Sequence, residues 1–449
     1  MKNIAIVLSA GSGTRMGNEV PKQYMKLAGK PVFQYCIEEF SKSSKIDEIY
    51  MVISKEDQLY VEEILKKFPN KVSKIIFGGR TRQESSRAGV YALPKNTDKV
   101  LIHDAARPFL NLTLINEVID TLDYHNCVDV AISSDDTIIK IDCDKYIESI
   151  PDRNYLLRGQ TPQGFKYPII LDAHNMSEKE DYCGVTDDCG LIIHYGLSKV
   201  YVIDGNSKNI KITKPIDLYI SEKLCQLNSL SLMENTKKDS RKKTYIIYGH
   251  SYGIGHEIFE LLKKEGHNVY GFSRSSGCDI SDHGNIISSL KKVYDSEGKI
   301  DGIIVTAGIM HRNLLQNKNY SEIIDEININ YVSSVLVTKE SLKYLEKSGG
   351  GHIILYGSSS YTRGRESYSI YSSTKAALVN FVQAVADEVY SKNILVNIVV
   401  PERTKTPLRE KNFGIEDPKT LLNPKYVAEK TLEILNLNVT GQTFDIKKK

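Results

Sequence analysis

Short apolar runs alternate with amphipathic stretches along both halves of this chain. In the first half, residues 4–8, 48–53, 74–77, 99–103 and 129–132 are predicted strands, with helical patterns between several of them. Such alternation predicts parallel strands joined by crossover helices. The second half repeats the style without repeating the sequence: 244–248, 268–273, 302–306, 351–356 and 393–400 are predicted strands, and 441–446 adds a last one. Between the halves, residues 228–243 (NSLSLMENTKKDSRKK) are polar, rich in Ser and Lys, and without periodicity, which predicts a linker. The expectation is an α/β protein of two doubly wound domains, 1–227 and 244–449, joined by that linker.

Length agrees, since 449 residues exceed what one hydrophobic core usually organises. A formal net charge of +3 gives no general reason to expect a nucleic acid or an acidic surface as partner, and the lysine-rich linker and the terminal lysines read as solvated. The seven cysteines form no CxxC pair and no His-spaced cluster, which argues against zinc and against a disulfide framework. The apolar run at 4–8 is too short for a signal peptide or a membrane span, so a cytoplasmic protein without membrane contact is expected.

Two glycine-rich loops of different design each follow an apolar run: LSAGSGTRMG at 8–17 and YGHSYGIG at 248–255. In the first, Gly11 and Gly13 let backbone N–H groups approach phosphate oxygens, and Arg15 and Lys22 bring cations to the same region. A dinucleotide site would want GxGxxG spacing and an acid ending the second strand. This loop has GxGxxxG, and that strand ends in Ile53 and Ser54. The second loop, with Gly249, Gly253 and Gly255 after a strand and before a helix, is the GxxxGxG arrangement that lays a pyrophosphate on a helix N-terminus.

The first loop is followed in order by GGRTRQESS (78–86), HDAARP (103–108), TPQGF (161–165), TDD (186–188) and NIKITKP (209–215). Over about residues 1–225 the chain thereby resembles the sugar-alcohol-phosphate cytidylyltransferases, with a Rossmann-like nucleotidyltransferase fold. The resemblance implies attack of an alditol phosphate on the α-phosphorus of CTP, with positioning and charge neutralisation as the main catalytic devices. It gives Arg15 and Lys22 the triphosphate, each such contact commonly being worth about 3 kcal/mol. It implies that Ala10, Gly11 and Gly13 form the loop, Asp104 ligates Mg2+, and Gly79, Arg82 and Ser85 surround the cytosine and ribose. Arg107, Thr137, Arg153, Thr161, Thr186 and Lys211 fall at positions near the alditol phosphate. Where the family usually has an aspartate shortly before the lysine of the NIK segment, this chain has Ser207 and Lys208. That departure bears on the acceptor.

Downstream of the second loop come TAG at 306–308, Asn330, Ser358, YSSTK at 371–375 and Pro401, with Ser358 thirteen residues before Tyr371. Over about 244–446 the chain resembles the short-chain dehydrogenase/reductases, which implies an NAD(P)-binding Rossmann fold. Tyr371 then protonates the nascent alkoxide, Lys375 one turn on supplies positive charge to lower its titration from about 10, Ser358 binds the carbonyl oxygen, and Asn330 holds a water relay. Gly249, His250, Ser251, Gly253, Ile254, Gly255, Ala307, Gly308 and Pro401 are implied to hold the cofactor, with Asp279 at the adenine. The second strand ends Phe272, Ser273, Arg274 without an acid, so a 2′-phosphate is accepted and NADPH is expected, with His250 as a second contact. A shortened segment after Pro401 carries Arg403, Lys405 and Arg409, candidate ligands for a small sugar phosphate.

A reductase that makes an alditol phosphate serves a transferase that consumes one. The pair resembles the bifunctional enzymes that reduce ribulose 5-phosphate with NADPH to ribitol 5-phosphate and couple it to CTP, giving CDP-ribitol for capsule or other cell-surface polymers. A methylerythritol phosphate cytidylyltransferase joined to another reductase is the alternative, and both parent families imply a homo-oligomer, dimer or tetramer.

Overall fold

The computed structural model describes residues 2–11, 21–232 and 241–448, and the chain divides into two compact units, Met1–Ser221 and Glu222–Lys449. The helix Pro215–Leu232 carries the chain across that boundary and beyond the expected linker start at Asn228. Neither Gly nor Pro interrupts its last turns, and the leucines there are good helix formers.

The first unit is built on a seven-stranded sheet, which runs from edge to edge as Val200–Asp204, Cys127–Ser133, Leu157–Lys166, Thr97–Asp104, Lys2–Ser9, Glu48–Ile53 and Val72–Phe77. Helices cover both faces, which is why the strand Lys2–Ser9 reads as a continuous apolar run. Its Ile4, Ile6 and Leu8 enter one core with the helices Arg82–Tyr91 and Tyr167–Lys179. Ala5 and Val7 enter the other with the helices Val32–Lys42 and Leu112–Thr121. The expectation of parallel strands needs one correction: Leu157–Lys166 runs antiparallel to both neighbours. Its LRGQTPQGFK is too polar to show as a strand, because Gln160, Thr161 and Gln163 are buried with hydrogen-bond partners in place of apolar packing.

The second unit holds a six-stranded, wholly parallel sheet in the order Asn268–Phe272, Thr244–Tyr248, Gly302–Val305, Gly351–Tyr356, Ile394–Pro401 and Thr443–Ile446. Alternate residues of Thr244–Tyr248 again serve two cores. Ile246 and Tyr248 face the helices His283–Glu297, Ser333–Lys347 and Ser369–Val389, while Tyr245 and Ile247 face Gly253–Lys264 and Pro424–Ile434. Both units are thus doubly wound α/β layers, as the apolar pattern predicts.

In each sheet the chain leaves its first strand toward one edge and later returns to pair on that strand's other side. Ligand crevices in open α/β sheets form at such switch points, beyond the carboxyl ends of the strands. Here they lie between Lys2–Ser9 and Thr97–Asp104, and between Thr244–Tyr248 and Gly302–Val305.

Candidate active sites

At the first switch point Leu8 pairs with Asp104, and Ala105 N donates to Leu8 O at 3.0 Å, so the start of the glycine loop and Asp104 are neighbours. The loop's described residues are tied down by a buried amide: Gln23 Nε2 donates to Ser9 O and to Gly11 O, each at 2.8 Å. A Cβ on Gly78 would stand 2.4 Å from Ala10 Cβ, so only glycine lets the 78–81 segment close on the first loop, and one on Gly79 would stand 2.3 Å from Glu84 Cβ at the start of the helix that follows. Ser85 lies in the same corner, its hydroxyl donating to Thr81 O at 2.9 Å. Lys22 is half-buried. Gly13 and Arg15 lie outside the described residues.

Behind the loops sits a knot of charge. Asp104 Oδ1 takes Arg82 Nε at 3.2 Å and its Oδ2 takes Lys211 Nζ at 2.7 Å, while Arg82 Nη1 reaches Asp188 Oδ2 at 2.8 Å. Burial alone would raise the Asp104 carboxyl, but the charges of Arg82, Lys211 and Arg107 outweigh it and hold it well below the usual carboxylate range. Asp188 is likewise buried, and Arg82, His174 and Ser86 keep it ionised. Arg107 spans to Asn209 O at 2.8 Å and Gly159 O at 3.3 Å. Two buried donors, Arg82 Nη2 and Arg107 Nε, have no partner among the described residues. With Lys211 the cluster carries an excess of one positive charge, which suits an anionic ligand.

The structure redistributes several expected roles. Arg82, expected beside the base and ribose, is instead the bridge between Asp104 and Asp188. Thr161, expected at the acceptor phosphate, spends its hydroxyl inside the protein: it accepts from Asp104 N at 3.2 Å and meets His103 Nδ1 at 2.9 Å. The other ring nitrogen of His103 lies 3.2 Å from Arg107 O, which can only accept, so that nitrogen carries the proton and the Thr161 hydroxyl donates to Nδ1. Burial lowers this imidazole to about 4 and keeps it neutral. Thr137, Arg153 and Thr186 are exposed, and among the described residues no hydrogen bond or ion pair joins them to the charge cluster. Sequence reasoning assigned no role to Asp188, His103 or Asn209, although the TDD, HDAARP and NIK segments contain them. Among the described residues no three His, Cys, Asp or Glu side chains gather as a metal cage. Both carboxylates of the cluster, Asp104 and Asp188, already face cations.

At the second switch point the glycine loop is shaped by its own backbone. Gly249 has φ 94° and Gly253 φ 64°, and a Cβ on Gly255 would lie 2.3 Å from Gly249 O. Thr306 Oγ1 donates to Tyr248 O at 3.0 Å and Gly249 O at 3.1 Å, fastening the loop to the neighbouring strand end. A cavity of about 610 Å³ opens from here, lined among others by Ser251, Ile254, Arg274, Asp279, Ala307, Gly308, Ser358, Tyr371, Lys375 and Pro401. Glycines that leave no room for side chains, with exposed Arg274 at one end, make a fitting cradle for a dinucleotide phosphate. The Ser251 and Ser275 hydroxyls, 2.8 Å apart, stand beside Arg274 in that lining. His250 does not: its ring fills the space above Gly271 and tilts on Phe259 at 5.3 Å, so the expected second contact to a 2′-phosphate turns into the fold.

Deeper in, Lys375 Nζ donates to Tyr356 O at 2.8 Å and lies 5.7 Å from the centre of the Tyr371 ring. Asn330 clamps the facing segment through its amide, accepting from Ile309 N at 2.8 Å and donating to Ile309 O at 2.9 Å. That amide is therefore occupied with backbone. The expected lowering of Tyr371 is not met. Burial pushes the phenol up to about 12 against the Ser358 hydrogen bond, and burial pulls Lys375 down to about 8. Burial penalises both charged forms.

Comparison with known proteins accounts for both units. Residues 3–226 match the family model of 2-C-methyl-D-erythritol 4-phosphate cytidylyltransferase, and residues 274–416 match that of short chain dehydrogenase. A bifunctional ribulose 5-phosphate reductase/CDP-ribitol pyrophosphorylase of Haemophilus influenzae is 40% identical over 456 residues, covering 99% of this chain and 96% of the relative. A 2-C-methyl-D-erythritol 4-phosphate cytidylyltransferase of Clostridioides difficile (strain 630) is 40% identical over 239 residues, covering 53% of this chain and 98% of its own. Among solved structures, the 4-diphosphocytidyl-2C-methyl-D-erythritol synthase of Anaerococcus prevotii is 32% identical, with TM-score 0.46, over 50% of this chain and 96% of that one.

Proposed function

The chain belongs to the family of bifunctional ribulose 5-phosphate reductase/CDP-ribitol pyrophosphorylases, and from that premise we propose that it makes CDP-ribitol in two steps. The second unit reduces D-ribulose 5-phosphate with NADPH to D-ribitol 5-phosphate. The first transfers the cytidylyl group of CTP to this alditol phosphate and releases pyrophosphate, the product feeding capsule or other cell-surface polymers. The observation that carries the reading is that one relative aligns through both units, so two sites of matching chemistry stand in one chain.

In the second unit NADPH supplies the hydride. Tyr371 donates its phenolic proton to the oxygen that becomes the alcohol, and Ser358 holds that oxygen by hydrogen bond. Lys375, protonated near neutral pH, stabilises the phenolate left behind, and Asn330 fixes the wall at Ile309 against which the substrate lies. Arg274, with Ser251 and Ser275, receives the 2′-phosphate; Asp279 lies at the adenine end. In the first unit Arg15, Lys22 and the loop of Ala10, Gly11 and Gly13 hold the triphosphate, with Gly79 and Ser85 beside the nucleoside. Lys211 and Arg107 neutralise the charge that grows on phosphorus, and Arg82 and Thr161 hold Asp104 and Arg107 in place. Asp104 would serve a magnesium ion carried in on the triphosphate as a single carboxylate ligand only by giving up the Lys211 contact at its Oδ2, which frees that ammonium for phosphorus. Thr137, Arg153 and Thr186 are assigned to the acceptor's far end. Self-association and a cytoplasmic location belong to the same proposal; among the described residues no helix is long and apolar enough to cross a membrane.

A coupled incubation with ribulose 5-phosphate, NADPH and CTP, read by mass for CDP-pentitol, tests both halves at once. Pyrophosphate release with methylerythritol 4-phosphate and none with ribitol 5-phosphate would instead assign the first unit to the alternative acceptor.

A further inference from the structure

The end of the second-unit cavity beyond Tyr371 is built from three chain segments that the glycine-loop chemistry does not use. Asn313 N donates to Ser367 O at 2.7 Å, and Arg312 N donates to Asn412 Oδ1 at 3.2 Å, so the segment after Gly302–Val305 binds both others. Aromatic rings continue the wall: Tyr371 lies 6.4 Å from Tyr368, and Tyr368 lies edge-on to Phe413 at 5.7 Å. Phe413 in turn carries two guanidinium groups, Arg409 at 4.3 Å and Arg312 at 4.8 Å. Arg365 and Arg409 both line the cavity here.

The two arginines differ in their partners. Arg409 is held by a bidentate pair with Glu416, Nε to Oε2 at 2.5 Å and Nη2 to Oε1 at 2.8 Å. Arg365 bonds through its backbone alone, its N donating to Ser372 Oγ at 3.4 Å, and its guanidinium has no partner among the described residues. Tyr368 N donates to Arg365 O at 3.4 Å, and the Tyr368 ring meets the Phe413 on which Arg409 stacks, so an open cation and a fork already holding a carboxylate belong to one stretch of wall, a receptor for a planar or tetrahedral oxyanion. Lys405 is exposed and absent from the lining, which removes it from the candidates after Pro401.

We infer that Arg365 and Arg409 form the phosphate-binding end of the reductase cavity, taking the phosphate monoester of the ketose, with Glu416 holding the Arg409 fork in position. This rests on the proposed reduction of a ketose phosphate and says where its specificity for phosphate lies. The carbonyl then sits at Ser358 and Tyr371, with the aromatic wall of Tyr368 and Phe413 between it and the phosphate. Glu416 screens Arg409 until a phosphate dianion competes for the fork, which also disfavours neutral ketoses.

The test uses the full-length chain, saturated with NADP+ for the binding reading and supplied with saturating NADPH for the kinetic one. Two readings are taken on wild type, Arg365→Ala, Arg409→Ala and Glu416→Gln: calorimetric binding of inorganic phosphate, and KM for ribulose 5-phosphate relative to ribulose. Loss of a charge-assisted contact predicts a rise of about 10- to 100-fold in KM for the phosphorylated ketose and collapse of the preference for it in either arginine variant. One phosphate-binding event of wild type disappears with it, and Glu416→Gln strengthens that event. Arg365→Lys regains part of the affinity, as a point charge replaces a fork. Unchanged phosphate binding and KM ratio in both alanine variants would overturn the inference. A wild type that binds phosphate through these arginines yet reduces no pentulose phosphate supports the site and counts against the substrate reading alone.

Discussion

Arg82 Nη1 meets Asp188 Oδ2 at 2.8 Å, joining residues 106 apart in the chain, and the carboxylate is 1% exposed. Asp188 cannot exchange this partner for water. Removing one member of a buried pair leaves the other charge uncompensated, typically at a cost of about 3–5 kcal/mol. Asp188→Ala is therefore expected to destabilise the first unit by about that amount in a denaturant titration and to depress pyrophosphate release through misplacement of Arg82. The acid side carries a sign. Asp104 and Asp188 are both held below their unfolded values, so their stabilisation is complete above the unfolded carboxylate pKa of about 4 and is lost as pH falls through the folded values. A shallower loss of stability in acid for Asp188→Ala than for wild type checks this reading.

Lys211 acts one bond further out, at Asp104 Oδ2, and is partly open to solvent. As a cation poised for phosphorus rather than a support for the fold, it has a different expected signature. Lys211→Ala is predicted to cut cytidylyl transfer by about 10²–10³-fold, with a smaller shift in unfolding midpoint than Asp188→Ala, because Arg82 still faces Asp104. NADPH oxidation should continue, since none of the Lys211 contacts lies in the second unit's cavity. Parallel assays of pyrophosphate release and absorbance loss at the NADPH band separate the two; equal loss of both activities would contradict the assignment.

Cofactor choice rests on the residues at the carboxyl end of the strand Asn268–Phe272. With Arg274 and the Ser251–Ser275 pair lining the cavity and His250 turned onto Gly271, Arg274 is the guanidinium placed to meet a 2′-phosphate. Arg274→Ala is expected to raise KM for NADPH by roughly 10- to 100-fold while leaving KM for NADH near its wild-type value. Side-by-side kinetics with the two cofactors decide it. A NADPH preference that survives the substitution would move the determinant elsewhere.

The apolar pattern revealed the doubly wound layers because strands covered on both faces, such as Lys2–Ser9 and Thr244–Tyr248, leave continuous apolar runs. It missed Leu157–Lys166, whose interior is filled by hydrogen-bonded glutamines and a threonine. Glycine spacing marked both loops, and at Gly249, Gly253 and Gly255 the structure has the positive φ or close backbone approach that glycine permits. Partner choice inside the sites was illegible for a different reason. Arg82, Asp104, Asp188 and Lys211 come from four separate segments, and which cation meets which carboxylate is set by packing of the elements that present them. His250 shows the same limit, because the space that receives its ring is the absent side chain of Gly271, a strand away.

Lys375 sets the pH response of the reductase. Burial brings its ammonium down to about 8, while the Tyr371 phenol, pushed up to about 12, keeps its proton throughout the neutral range. Raising the pH through about 8 therefore removes the positive charge first, and the phenolate that forms as the proton leaves for substrate loses its stabilisation. The rate of ketone reduction should fall on the alkaline side with an apparent value near 8, long before the phenol itself titrates. Stability should move the other way. The unfolded lysine binds its proton up to about 10.4, so between the two values the unfolded state holds more protons and the folded state gains stability as pH rises. A kcat profile that stays flat well past the lysine's titration, or a stability curve that falls across this window with no gain attributable to Lys375 when compared with Lys375→Met, would show that the ammonium is solvated and that the phenol alone governs proton delivery.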